Sequence, residues 1–410
     1  MEHIPYLVSW NLTRRCNLLC PHCYIDSNPP HPSFPKRGKE ELNSELTIQE
    51  TKSVVDELSH LNPRLMLILS GGEPMLRDDI EELLEHAAGK GFIVVVGSNG
   101  TLLSEDRLRG LKLAGLKGLG VSIDSTTPSY HDAFRGVEGA WESSLKAIKT
   151  ARTLGLEVQM DVTLTDGNVG QVRELVELGA LLSVKSINFF FLICTGRATK
   201  AEITTDHYDS ALRTIAELFR TETRLMVRAR CAPHLYRLLY ESGFPLQVGT
   251  TGCLAGKSYL RIDPEGNITP CPYLPVSVGN VRQESVATLW MHSPILRQMR
   301  EGSYKGRCGI CEYAELCGGC RARALAERSD LMEEDPLCAH LPSGEGKVCL
   351  EEAFSSTLLW DLKAKERMRK VPVFMKGMVI RMIERKAIEK GVSNISSEFI
   401  DEVKSGAIVH

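Results

Sequence analysis

The chain has 410 residues, of which 43% are hydrophobic and 25% charged, with a net charge of −3. This length exceeds the size at which a single hydrophobic core usually stops growing, so two or three units are expected, and the balanced charge excludes a global nucleic-acid or membrane signature. The opening MEHIPYLVSW lacks the basic-then-apolar pattern of a secretory signal, which places the protein in the cytoplasm. Thirteen cysteines in that reducing setting point to metal or cluster ligation rather than to disulfides.

The first strand-like run, YLVSWNL (6–12), leads into RRCNLLCPHCYI (14–25), which spaces Cys16, Cys20 and Cys23 by three and then two residues. Three thiolates are one short of the usual set for zinc or an iron–sulfur cluster, so the fourth position is open or filled from elsewhere, for instance by His22 on a zinc ion. Thr47 and Glu50 have capping-box spacing ahead of Val54, Val55 and Leu58. LMLILS (65–70) is followed by GGEP (71–74), whose glycines allow either a close backbone approach to a ligand or a bare tight turn. Ile80, Leu83, Leu84 and Ala87 then repeat on one helical face. FIVVVGS (92–98) opens into SNGTLL (98–103), GLGVSID (118–124) ends on Ser122 and Asp124, and EVQMDVTL (157–164) and SINFFFLI (186–193) complete the series. Six apolar strands alternating with helices read as an α/β fold, a partial (β/α)6 TIM-like barrel. Sites in such folds gather at strand C-terminal ends, where all four special segments fall.

A second cysteine field begins at Cys231. Cys253 is followed after twelve residues by Gly266 and after four more by Cys271; then comes Cys308-x2-Cys311-x5-Cys317-x2-Cys320, with Cys338 seventeen residues on. Two adjacent CxxC pairs signal metal, and both a zinc ribbon and cluster sites remain open at this point. DPEGN (263–267) reads as a hairpin turn. The tail, 346–410, has ten Lys or Arg between 363 and 390 among apolar residues, a single cysteine, Cys349, and Ser396 as cap of a last helix. Its basic helix suits docking on an acidic partner or a membrane surface. These changes divide the chain into 1–230, 231–345 and 346–410.

The order Cys16-x3-Cys20-x2-Cys23, GGEP and VSID resembles the radical S-adenosylmethionine (SAM) enzymes over roughly residues 5 to 200. The resemblance implies that the three cysteines hold a [4Fe–4S] cluster whose open iron chelates SAM, and that one electron then yields a 5′-deoxyadenosyl radical. It further implies that Gly71, Gly72 and Glu73 meet the methionyl amino group, that Ser122 and Asp124 face the carboxylate or ribose, and that Tyr24 lies against adenine. The second field resembles the SPASM extension. By that pattern Cys308, Cys311, Cys317 and Cys338 hold one auxiliary cluster, while Cys253, Cys271 and Cys320 supply three ligands to another. The last pair is spaced by two residues where the pattern has three, and no further cysteine follows Cys253 closely, so the pattern leaves the fourth ligand unassigned and an iron open to substrate or to a non-cysteine ligand. Cys194 and Cys231 fall outside both patterns and read as buried thiols.

FFFLICTGRA (189–198), CAPHLYR (231–237), GCLAG (252–256) and CEYAELCGGCRARA (311–324) resemble the heme-biosynthetic branch, the iron-coproporphyrin decarboxylating heme synthases and their heme d1 relatives. There a propionate loses a β-hydrogen, carbon dioxide and one electron to become a vinyl group, with an auxiliary cluster as electron sink. Arg197, Arg237, Arg321 and Arg323 are then candidate propionate clamps, or solvated surface charges, and His234 is a candidate axial ligand or a structural histidine. The tail resembles the small C-terminal domain of the light-independent protochlorophyllide reductase B subunit. Expected partners are a tetrapyrrole and an electron donor such as flavodoxin or ferredoxin, with no nucleic acid. A SPASM peptide maturase acting on a ribosomal peptide is the nearest alternative, and a zinc-dependent binding protein the alternative of another class.

Overall fold

The computed structural model describes residues 4–25, 27, 44–198, 203–246, 250–348, 350, 358–369, 371 and 373–409; Cys349 lies outside them. Seven parallel strands pair in sequence order: β1 (Leu7–Asn11), β2 (Met66–Ser70), β3 (Ile93–Ser98), β4 (Gly118–Ser122), β5 (Glu157–Leu164), β6 (Ser186–Phe191) and β7 (Met226–Arg230). The first six are the expected strands. The seventh, MVRAR, escaped the reading because two arginines interrupt its apolar run.

On the other side of β1 lies β8 (Tyr259–Ile262), parallel to it, followed by antiparallel β9 (Asn267–Thr269) and β10 (Gly279–Asn280). β8 and β9 are the two arms of the expected DPEGN hairpin, whose turn is fastened by Asp263 Oδ1 accepting from the amides of Glu265 (3.0 Å) and Asn267 (2.8 Å). The second cysteine field is thereby built onto the same sheet, ten strands in the order β10-β9-β8-β1-β2-β3-β4-β5-β6-β7. Among the described residues the sheet does not close on itself.

Strand alternation separates two environments. Val8 and Trp10 of β1 and Val158, Met160, Val162 and Leu164 of β5 are buried in one continuous core with the helices. Helix α1 (Ile48–Leu61) adds Val54, Val55 and Leu58 after its Thr47/Glu50 capping box, and α2 (Ile80–Gly89) adds Ile80, Leu83, Leu84 and Ala87. The opposite strand face is polar: Ser9 and Asn11 on β1, Gln159 and Asp161 on β5, Asn188 on β6. A barrel that stops short of closure keeps this inner face for a ligand instead of filling it with side chains.

Residues 358–409 form a separate core of Trp360, Met368, Ile380, Ile383, Ile395 and Phe399 with their neighbours. A two-stranded sheet, Leu359–Trp360 with Asn394–Ile395, joins helices Leu362–Arg369, Val373–Glu389 and Ser397–Val409. Ser396 Oγ caps the last helix at the Phe399 amide, 3.2 Å. Among the described residues no helix is long and apolar enough to cross a membrane.

Candidate active site

The loop after β1 carries Cys16 and Cys20 buried and Cys23 partly buried. The amides of Leu18 and Ser27 point at Cys16 Sγ and Cys23 Sγ, each at 3.4 Å, an arrangement that stabilises thiolate sulfur. Burial pushes the Cys16 thiol up to about 12; the Leu18 amide opposes this, and the charges of Cys20, Glu73 and Cys23 add to it. Three thiols gathered in one loop suit a cationic centre, which stabilises the thiolate form that ligation needs. His22 stacks on Phe134 with ring centroids 3.9 Å apart, and burial lowers its pKa to about 3.

GGEP folds against the chain just ahead of Cys16. The Gly72 amide donates to Thr13 O (2.7 Å) and the Glu73 amide to Arg15 O (2.8 Å), and a Cβ on Gly72 would stand 2.1 Å from Arg15 O. The two glycines, Gly71 and Gly72, therefore serve a close approach of two backbones. Glu73 is fully buried, and its carboxylate accepts from Ser98 Oγ (2.9 Å) and from the amides of Asn99 (2.9 Å) and Met75 (3.1 Å). Burial pushes it up to about 7. GGEP and SNGTLL thus form one knot beside the cysteine loop, closed by Asn99 Nδ2 donating to Asn17 Oδ1, 2.9 Å.

Ser122 ends β4 opposite Asp161. Asp124 is fully buried and receives Arg135 Nε (2.6 Å), Arg135 Nη2 (3.0 Å) and the Thr163 amide (2.9 Å). Burial opposes its ionisation, but Arg135 and then His131 hold the carboxyl well below the usual range. Arg135 Nη1 reaches to 3.9 Å from Cys20 Sγ. Sequence reasoning missed Arg135, although its place eleven residues after Asp124, at the end of the next helix, Pro128–Arg135, was a readable signal. Tyr24 OH accepts from Asn11 Nδ2 (2.8 Å), and its ring meets Tyr273 at 5.0 Å. Burial raises the pKa of its phenol, which Arg261 and the Asn11 hydrogen bond oppose.

In the second field, Cys308, Cys311, Cys317 and Cys338 line one cavity of about 400 Å³, including its solvent-open part, together with His234 and Arg237. The amides of Tyr313 and Gly319 point at Cys311 Sγ (3.4 Å) and Cys317 Sγ (3.5 Å). Cys253, Cys271 and Cys320 pack together elsewhere, with Cys231 among them. Tetrahedral zinc with Zn–S near 2.3 Å would draw its sulfurs to about 3.8 Å from one another. Among the described residues the one trio of potential ligand atoms within 4.8 Å is Cys311, Glu312 and His340, so no three thiols of any set stand at zinc spacing. Cluster ligation, with each thiolate on a different iron, suits these wider sets.

The candidate clamps fall in different places. Arg321 is 3% exposed and donates to Leu331 O (3.0 Å) and Glu333 O (2.7 Å), with Nη2 3.7 Å from Cys308 Sγ. Arg323, 1% exposed, pairs with fully buried Asp335 at 2.8 Å. Both are engaged inside the cysteine field. Arg237 pairs with Glu241 (2.9 Å), and His234 Nδ1 meets Tyr208 OH (2.7 Å). Arg197 Nη1 donates to Ser27 O (3.1 Å), tying CTGR to the first cysteine loop, and a Cβ on neighbouring Gly196, at φ +63°, would strike Cys23 O at 2.4 Å. On the polar inner face the structure adds Arg230, whose Nε donates to Asn188 Oδ1 (3.2 Å), and Arg261, whose Nε donates to Asn11 Oδ1 (2.6 Å).

Residues 10–179 match the radical SAM superfamily, residues 253–321 the SPASM iron–sulfur cluster-binding domain, and residues 360–404 a family described as proto-chlorophyllide reductase 57 kD subunit. An AdoMet-dependent heme synthase of Methanosarcina barkeri is 35% identical over 355 residues, covering 83% of this chain and 98% of that relative. The chain belongs to the radical SAM superfamily. Another relative of this radical SAM enzyme, a pre-heme d1 synthase of Dinoroseobacter shibae, is 31% identical over 81% of this chain and 85% of its own length. Among solved structures, SuiB of Streptococcus suis bound to S-adenosylmethionine shares the fold, with TM-score 0.66 and 17% identity over 82% of this chain and 78% of that one. The cofactors of this enzyme are S-adenosylmethionine and [4Fe–4S] clusters.

Proposed function

We propose that this radical SAM enzyme oxidatively decarboxylates propionate side chains of a tetrapyrrole in heme formation. The observation that carries the reading is the 35% identity to AdoMet-dependent heme synthase, which covers 83% of this chain and 98% of that relative. Bound S-adenosylmethionine and its cluster supply a hydrogen-abstracting radical on one-electron reduction. Cys16, Cys20 and Cys23 hold that cluster, the GGEP knot and Ser122 line the SAM side, and Asp124 positions Arg135 beside Cys20. Arg230 and Arg261 offer guanidinium groups to carboxylates from the polar inner face. A propionate that gives up a β-hydrogen atom, carbon dioxide and one electron becomes a vinyl group, and the electron needs an acceptor. The residues suited to hold one are Cys308, Cys311, Cys317 and Cys338, and the set around Cys253, Cys271 and Cys320.

We assign the chain to three units, 1–230, 231–345 and 346–410; each contains one family match, and the last has its own core. The tail docks substrate or an acidic partner, and a cytoplasmic ferredoxin or flavodoxin supplies the reducing electron. The test is anaerobic incubation of the reconstituted enzyme with iron-coproporphyrin, S-adenosylmethionine and reductant. Each propionate converted loses the mass of carbon dioxide and two hydrogens, matched by one 5′-deoxyadenosine. Formation of 5′-deoxyadenosine with unchanged porphyrin overturns the assignment, and modification of a ribosomal peptide under the same conditions would move the enzyme to the peptide maturases.

A further inference from the structure

We propose that Cys231 is the fourth protein ligand of the second auxiliary cluster, completing the set Cys231, Cys253, Cys271 and Cys320. The inference rests on the reading that this set holds a cluster at all. Cys231 lies 22 residues ahead of Cys253, on the far side of a helix, His234–Glu241, so no motif spacing joins it to the others. The fold brings it back. It follows β7 directly, and its side chain packs with those of Cys253 and Cys271 against a buried group containing Cys320, Ile193 and Leu274.

Three further observations support ligation. Cys231 adopts φ +55°, one of three non-glycine residues with positive φ among those described, a costly conformation in which surrounding contacts must hold it. Those contacts are specific: Arg323 Nη2 donates to Cys231 O (2.8 Å), Arg323 pairs with Asp335, and Asp335 Oδ2 accepts the Cys320 amide (2.7 Å). One fully buried ion pair thus locks the backbones of two cysteines from opposite ends of the field, as outer partners do around metal ligands. The thiols also stand too far apart to share one zinc ion, since no three of them lie within 4.8 Å of one another. With four cysteines the cluster has no open iron. It can pass an electron but cannot bind a substrate carboxylate, which separates its role from that of the first cluster.

The test uses the full-length enzyme, reconstituted anaerobically, with iron and sulfide content and the electron paramagnetic resonance spectrum as readouts. Cys253→Ala with Cys271→Ala is expected to remove about four iron atoms, the content of one cuboidal cluster. If it removes none, the set holds no cluster and the underlying reading fails. Given that loss, Cys231→Ala treated with a ferricyanide oxidant is expected to give up about one iron and show a three-iron signal that the wild type does not, or to change the spectrum through a substitute ligand. Should that variant not fold, Cys231→Ser keeps an oxygen ligand and is expected to retain iron with a shifted spectrum. Full iron with an unchanged spectrum in the folded variant overturns the proposal, as does finding those changes in Cys194→Ala instead.

Discussion

Asp335→Asn isolates the ion pair that organises the second cysteine field. The substitution preserves shape and one acceptor but leaves the Arg323 cation without its counter-charge at a site where the two side chains are 1% and 0% exposed. Solvent cannot screen it there, and removing one partner of a buried pair costs about 3–5 kcal/mol. The Tyr208 ring, 5.2 Å from the guanidinium, already faces the cation in the wild type and so does not replace the lost counter-charge. Burial disfavours ionised Asp335, but Arg323, His234 and the Cys320 amide more than reverse this and hold its pKa below the usual value. A depressed carboxylate contributes stability present above its unfolded pKa and lost as pH falls through the folded one, so the defect of the variant shrinks in acid. Hydrogen exchange of peptides spanning 312–340 in the anaerobic enzyme reads the local opening free energy. Adding Arg323→Met to Asp335→Asn is expected to cost much less than the sum of the two single changes. Additivity within about 0.5 kcal/mol would refute the argument that the buried charges are coupled.

Replacing Cys16, Cys20 and Cys23 together by alanine is expected to abolish reductive cleavage of S-adenosylmethionine while auxiliary iron remains; persistent 5′-deoxyadenosine would remove the radical chemistry from that loop. Burial pushes Asp161 up to about 6 against the hydrogen bonds from Asn188 and Gln159. The folded state then holds a proton that the unfolded chain releases, so stability is lost as pH rises, and between about pH 5 and pH 8 wild type should lose roughly 1.4 kcal/mol relative to Asp161→Asn. Thermal melts across that range check it, and a constant difference between the two proteins counts against it. Truncation after about residue 345 should keep all cluster iron and uncoupled S-adenosylmethionine cleavage but weaken conversion of the true substrate. Lost iron in the folded truncation would show that the tail supports the cysteine fields, and wild-type turnover would place its role outside the reaction.

Features whose physics is local were legible in the sequence. The three-thiol loop, the capping box at Thr47 and Glu50, the apolar faces of α1 and α2, six strands and the DPEGN hairpin each follow from residues a few positions apart. Spacing therefore sufficed to gather the first three cysteines in one loop, and the order of the motifs carried the resemblance that gave the family and its cofactors. Tertiary structure decided what depends on chain segments meeting from afar. Gly71 and Gly72 let GGEP press on Thr13 and Arg15, a close approach of two backbones that needs the room of a missing Cβ and that the turn by itself does not announce. Asp124 and Glu73 find their partners in Arg135 and the 98–99 turn, and Arg321 and Arg323, which look like surface charge in a run of RARA, are buried because Asp335 and carbonyl oxygens await them. β7 forms despite its arginines because the sheet places them on the polar inner face, and it delivers Cys231 to thiols 22 to 89 residues away in sequence. No periodicity encodes that meeting, since it is set by how the strands align.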